Sequence, residues 1–127
     1  MGYGLCRAMK AMRILVVEDE PHIRHIVERV LAPRGHHVIS ASSVFEAMAL
    51  LLDFPAPPDI ALLDLGLPGM GGLAYAEQLQ REFPSIRVVF MTGSVDEAQL
   101  GQAEQRRALL MKPFAFPRLI ELINSAT

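Results

Sequence analysis

The chain has 127 residues, 51% of them hydrophobic and 20% charged, a size that accommodates one domain core and excludes two. Twelve Lys and Arg against fourteen Asp and Glu leave a formal charge of -2 without a basic block or an aromatic stripe, so direct nucleic-acid binding is not expected. The single cysteine, Cys6, rules out an intrachain disulfide framework, and no apolar run reaches the roughly 20 residues of a membrane helix. A soluble protein of a reducing cytoplasm, without membrane insertion, is expected.

Residues 1–11 carry neither a sustained apolar stretch nor a cleavage site and read as an N-terminal extension ahead of a domain spanning residues 12–127. From there, short apolar runs alternate with segments of helical spacing, the signature of βα units around a parallel sheet. The strand candidates are 13–17, 37–41, 59–63, 86–91 and 108–111. The first, third and fourth are nearly continuous apolar runs, as strands covered on both faces require. After the first strand, Ile23, Ile26, Val27, Val30 and Leu31 mark a helix opened by Pro21 and stopped by Gly35. Ser43 caps a second helix that runs through Leu52 and ends before Pro55, Pro57 and Pro58. Gly71 and Gly72 precede a third helix over about 73–82. Residues 96–105, with few apolar anchors and Gly101, predict a short fourth helix, and Pro117 opens a last one reaching Ser125. The fold class predicted is a doubly wound α/β domain with a five-stranded parallel sheet.

Parallel strands deliver their C-terminal ends to one edge of the sheet, where ligands bind. Just past the strand candidates stand Glu18-Asp19-Glu20, Asp64, Thr92 and Lys112. The second strand delivers nothing comparable, as an edge strand away from a site would. Glu18, Asp19 and Asp64 at one crevice repel one another unless a cation compensates. A hard dication such as magnesium fits carboxylate oxygens, whereas no convergent His and Cys set points to zinc. Lys112 adds a mobile charge and Thr92 a hydroxyl donor, both suited to an anionic oxygen. Cation, amine and hydroxyl around Asp64 suit phosphoryl transfer onto that carboxylate.

Ile14-Leu-Val-Val-Glu-Asp-Glu-Pro21, Ile60-Ala-Leu-Leu-Asp-Leu-Gly-Leu-Pro-Gly-Met70, Val88-Val-Phe-Met-Thr-Gly93 and Met111-Lys-Pro-Phe114 resemble the receiver domain of two-component response regulators. The likeness covers residues 12 to 125, and its specificity lies in order and spacing. Asp64 stands 45 residues after Asp19, Thr92 28 after Asp64 and Lys112 20 after Thr92. The resemblance implies a flavodoxin-like (βα)5 fold of strand order 2-1-3-4-5, for which such receivers are the general example. It implies a phosphoryl group passed from the phosphohistidine of a histidine kinase or histidine phosphotransfer protein to Asp64. Asp19 and Asp64 would ligate Mg2+ directly, Glu18 through water, and the Gly66 carbonyl would complete the protein ligands. Thr92 and Lys112 would hold the phosphoryl oxygens, with a cis bond before Pro113. A phosphorylation-linked dimer is a further state the resemblance allows, and the downstream protein target stays open.

Two features depart from the family pattern. Leu109 stands where the family places Tyr or Phe, three residues before its Lys, so the usual coupling of Thr92 to the output surface is in doubt. The stretch from Thr92 to Lys112 is also shorter than the resemblance implies and lacks a Gly-Ala turn. Taken singly, the site residues have plainer readings. Glu18, Asp19 and Glu20 suit a helix start, Asp64 and Thr92 suit turns, and Lys112 suits a solvated surface. Their joint placement at strand ends sets those readings aside. His22, His25, His36 and His37 read as surface histidines, and Met48, Met70, Met91 and Met111 as fillers of core or loop gaps.

Three other functions compete with the phosphoacceptor. A phosphorylation-independent interaction scaffold is compatible with Leu109. An Asp-nucleophile phosphohydrolase of the haloacid-dehalogenase kind needs a second Asp where this chain has Gly66. An FMN carrier needs a phosphate-cradling loop where Glu18-Asp19-Glu20 would repel a phosphate.

Overall fold

A computed structural model describes residues 10–54, 56–69, 71–93 and 109–125. Strands are β1 (Arg13–Val17), β2 (His37–Ala41), β3 (Ile60–Asp64), β4 (Arg87–Thr92) and β5 (Leu109–Met111). The helices among the described residues are α1 (Pro21–Leu31), α2 (Val44–Leu52), α3 (Gly72–Glu82) and α4 (Phe116–Asn124). All strands are parallel, in the order β2-β1-β3-β4-β5. The helix expected over 96–105 lies outside the described residues, as do Cys6, Met70 and Ala108.

Every residue of β3 is buried, as are four of five in β1 and five of six in β4, because helices cover both faces of the central strands. Alternate side chains divide between two cores. Leu15, Val17, Leu63 and Phe90 pack with Ala47 of α2 and with Tyr75 and Leu79 of α3. On the opposite face Ile14, Val16, Leu62, Val89 and Met91 pack with Val27 and Leu31 of α1 and Leu119 and Ile123 of α4.

Local chemistry sets the helix ends. Pro21 occupies the first turn of α1, which passes into a 3-10 turn at Ala32–Arg34 and stops at Gly35, where φ is 89°. Ser43 Oγ accepts the Glu46 N–H at 3.1 Å, and Glu46 Oε1 accepts the Ser42 N–H at 2.7 Å, so α2 begins on a reciprocal cap.

The structure corrects several positions. Asp64 and Thr92 are the last residues of β3 and β4 rather than the first beyond them, because backbone pairing continues through Asp64↔Met91 and Thr92↔Met111. Gly72 lies inside α3. His36 is buried, its Nδ1 accepting the Met12 N–H at 3.1 Å, because the turn before β2 folds it against the entry to β1. Met48 and Met111 fill no gap and are 40% and 42% exposed. Met48 sits on the outer side of α2, and Met111 on the edge strand.

Candidate functional site

Strand register places the site. Val17 is level with Leu63, so Glu18 and Asp64 leave β1 and β3 at the same height. The steps Asp64↔Met91 and Thr92↔Met111 then stagger Thr92 and Lys112 by one residue each along the same edge. Backbone bonds continue past the strands: Glu18 N–H donates to Ala41 O at 3.0 Å, Leu65 N–H to Met91 O at 2.8 Å and Lys112 N–H to Thr92 O at 2.8 Å. The polar residues therefore hang from a rigid rim.

Glu18 is wholly buried, Asp64 and Thr92 are buried, and Asp19 is exposed. Glu18, Asp19 and Asp64 each offer an oxygen, and these lie within 4.8 Å of one another. The Lys112 ammonium is bonded to Glu18 Oε1 and stands 3.4 Å from Asp64 Oδ2. Asp64 Oδ1 accepts the Gly66 N–H at 2.9 Å, and Glu18 Oε2 accepts the Glu20 N–H at 3.2 Å. Arg24 Nη1 donates to the Glu18 carbonyl at 2.7 Å, tying α1 to the loop that presents the acids. The Lys112-Pro113 bond is cis. Leu109 stands apart, half-buried in β5 opposite Phe90 and packed against the α2/α3 core.

The family profile of the response regulator receiver domain matches residues 14–124. This chain belongs to the response regulator receiver family. It is 33% identical over 116 residues to the two-component response regulator PhoP of Pseudomonas aeruginosa, covering 90% of this chain and 51% of that protein. It is 31% identical over 113 residues to the sensor kinase CckA of Brucella abortus, 87% of this chain and 12% of that one. The receiver thus spans about half the length of one curated relative and a small part of another. Among solved structures, a response regulator receiver domain protein from Clostridium thermocellum superposes with a TM-score of 0.80 at 26% identity, covering 91% of this chain and 93% of that one.

The electrostatics of this receiver follow from one ammonium set among several carboxylates. Burial pushes the Glu18 carboxyl up to about 7, and the charge of Asp64 adds to the rise, while Lys112 and the Glu20 N–H partly offset it. Burial by itself would lower the Lys112 ammonium. Its bond to Glu18 and the charges of Glu18 and Asp64 outweigh that cost and hold it above its ordinary value. Among the described residues Lys112 is the one ammonium paired with these carboxylates and can neutralise only one of them, so the donor set of Glu18, Asp19 and Asp64 fits a hard dication of the magnesium type.

Gly72 is a positioning residue that sequence reasoning treated only as part of a helix start. A Cβ there would stand 2.6 Å from the Asp64 carbonyl oxygen and 3.2 Å from its carbonyl carbon. The first turn of α3 thus rests directly on the backbone that carries Asp64. The Gly-Gly pair at 71–72 was the available signal. Only the docking distance separates the two glycines, since a Cβ on Gly71 would meet nothing within 4 Å.

Proposed function

We propose that this receiver accepts a phosphoryl group on the Asp64 carboxylate from the phosphohistidine of a histidine kinase or histidine phosphotransfer protein, in the cytoplasm. The observation that carries this reading is the convergence of Lys112 on Asp64 beside a buried Glu18. An Asp64 oxygen forms the new bond to phosphorus as the P–N bond breaks, and the leaving imidazole nitrogen takes up a proton. Asp64 Oδ1 is oriented by the Gly66 N–H, which keeps the carboxylate from rotating freely as the donor approaches. Lys112 already spans Glu18 and Asp64, so a short movement of its flexible stem brings the ammonium to a phosphoryl oxygen. Thr92, on the same rim, supplies the hydroxyl donor to another.

Asp19 and Asp64 would hold Mg2+ directly, Glu18 through water, with the Gly66 carbonyl as a further ligand. When bound, the ion supplies positive charge against the carboxylates and the incoming phosphoryl oxygens. The rest of the chemistry belongs to the chain. Glu18 keeps Lys112 within reach of Asp64, and α3 and the β3 backbone keep Asp64 at the rim.

The test is incubation with acetyl phosphate and magnesium, followed by intact-mass measurement. One added phosphoryl group is expected, lost in Asp64→Ala and on chelation. An adduct that survives Asp64→Ala, or that forms without a divalent ion, overturns the assignment.

A second reading concerns output rather than chemistry. Leu109, already packed against the core, offers no ring to turn inward when Thr92 moves. An interaction scaffold indifferent to phosphorylation is favoured by that residue, and partner affinity that does not change on phosphorylation would establish it.

A further inference from the structure

The Glu18-Asp19-Glu20 loop joins β1 to α1 and is held at its first residue. The Glu18 N–H donates to Ala41 O at 3.0 Å, Glu18 Oε2 accepts the Glu20 N–H at 3.2 Å, and the Glu18 carbonyl accepts Arg24 Nη1 at 2.7 Å. The last of these is unlike the other bonds along the rim, because a backbone carbonyl just past a strand is taken by a side chain of the following helix. Arg24 is half-buried near the start of α1, where its own N–H donates to Glu20 O at 3.2 Å. Val27 and Leu31 pack α1 into the core, so the guanidinium is carried by a fixed element. Asp19 is exposed, and among the described residues its side chain makes no hydrogen bond or ion pair. Its oxygen nevertheless lies within 4.8 Å of one from Glu18 and one from Asp64. The backbone that carries Asp19 therefore sets its aim.

We propose that Arg24 is a positioning residue for the dication: by holding the Glu18 carbonyl it fixes the Glu18–Asp19 peptide and so keeps the Asp19 carboxylate turned toward Asp64. This role rests on the reading of Asp19 and Asp64 as direct Mg2+ ligands. A peptide unit is planar, so the Glu18 carbonyl oxygen, the Asp19 nitrogen and the Asp19 α carbon move as one body. With the Glu18 N–H and carbonyl both engaged, the loop has little freedom to swing Asp19 outward. The restraint matters because the acids repel one another until a cation arrives, and an unrestrained Asp19 would turn away into solvent. Charge alone gives Arg24 the opposite effect. Among the described residues the three acids have no ion pair with its guanidinium, Lys112 being the partner of Glu18 and Asp64. A positive charge beside the cluster opposes an incoming dication. Removal of Arg24 therefore weakens Mg2+ binding if the residue positions Asp19, and strengthens it if only its charge counts.

Magnesium chloride titration of the full chain, followed by amide NMR without any phosphoryl donor, reads that sign. Arg24→Met keeps an unbranched apolar stem and removes both the donor and the charge, and its fold is checked by circular dichroism. Its Mg2+ affinity is expected to fall about tenfold, the usual size for loss of a residue that orients a metal ligand. Arg24→Lys, which keeps the charge and a flexible donor, should recover at least part of that loss, and the Asp19 amide resonance of the metal-free protein should shift in Arg24→Met. Arg29→Met, which removes an exposed charge from the same helix, should bind as the parent does. Should Arg24→Met fail to fold, Arg24→Gln, neutral and too short to reach the carbonyl, takes its place with the same expected fall. Unchanged or tighter binding on loss of Arg24, or an Arg24→Lys affinity no better than that of Arg24→Met, overturns the proposal and leaves the magnesium site standing. A parent protein that binds no magnesium overturns the site and the role of Arg24 together.

Discussion

The α carbon of Gly72 packs against the carbonyl of Asp64 so closely that a methyl group on it would stand 2.6 Å from the carbonyl oxygen. The obstructing atoms are backbone, which cannot rotate aside. Gly72→Ala must therefore displace either α3 or the end of β3. A loss of about 1–3 kcal/mol in urea unfolding is expected, with slower acceptance of phosphoryl from acetyl phosphate because Asp64 moves with its strand. Gly71→Ala, where nothing lies within 4 Å, serves as the control: as the N-cap of α3 it loses only the cap preference of Gly over Ala, about 0.5–1 kcal/mol, and should leave phosphoryl acceptance unchanged. Equal stability of the two variants would show that α3 gives way freely.

Glu18 makes the metal-free protein sensitive to alkali. Its folded pKa is raised from 4.5 to about 7, chiefly by burial, so between those values the folded state holds a proton that the unfolded state has released. The stability this contributes is fully present below pH 4.5 and is lost as pH rises through about 7. The expected size is about 2–3 kcal/mol, read as the fall in unfolding free energy from about pH 5 to about pH 8 in chelator. Glu18→Gln cannot ionise and should flatten that limb. Magnesium should do the same in the parent protein by favouring the charged carboxylate, and its affinity should rise with pH over this window. An identical slope in parent and variant would assign the limb elsewhere.

His36 gives a slope of opposite sign at the other end of the sheet. Burial, with the nearby Arg34 charge, lowers its pKa below 6.5, and its neutral Nδ1 accepts the Met12 N–H. Here the unfolded state binds the extra proton, so stability is full above pH 6.5 and falls as pH drops below it. Protonation also turns the acceptor into a donor facing another donor. Because Glu18 gains stability over part of the same range, the two effects oppose each other and must be separated by variants. His36→Asn, whose amide oxygen can replace Nδ1, should remove the acid-side loss while keeping the turn. An NMR titration placing His36 at or above 6.5 would refute the assignment.

What was legible in the residues follows from what periodicity encodes. Each strand end could be read because an apolar run stops at a polar residue, and this brought Glu18, Asp64, Thr92 and Lys112 to one edge before any geometry was known. The edge position of β2 follows in the same way, since Ala41 is followed by Ser42 and by no ionisable group comparable to those after the other strands. Periodicity does not encode how closely one element approaches another. The contact of Gly72 with Asp64, the bond of Lys112 to Glu18 and the burial of His36 against Met12 are all distances between separate elements, and none has a local signature. Met48 shows the complementary limit, since an apolar residue at helical spacing reads as core until the structure shows which side of α2 the sheet occupies.

The ring and the hydroxyl of Tyr75 have opposite effects on stability. The ring fills the core between α2, α3 and the sheet, whereas the hydroxyl is buried and has no hydrogen-bond partner among the described residues. Burial, reinforced by the charge of Glu82, pushes its pKa up to about 12, so it stays a neutral phenol at any ordinary pH. A buried hydroxyl that gives up its water bonds without replacing them costs about 1–3 kcal/mol. Tyr75→Phe keeps the packed ring and removes that cost, so an increase of about 1 kcal/mol in unfolding free energy is expected, with phosphoryl acceptance at Asp64 unaltered. A decrease would mean that the hydroxyl has a partner beyond the described residues, and the cavity left by its removal would then account for the loss.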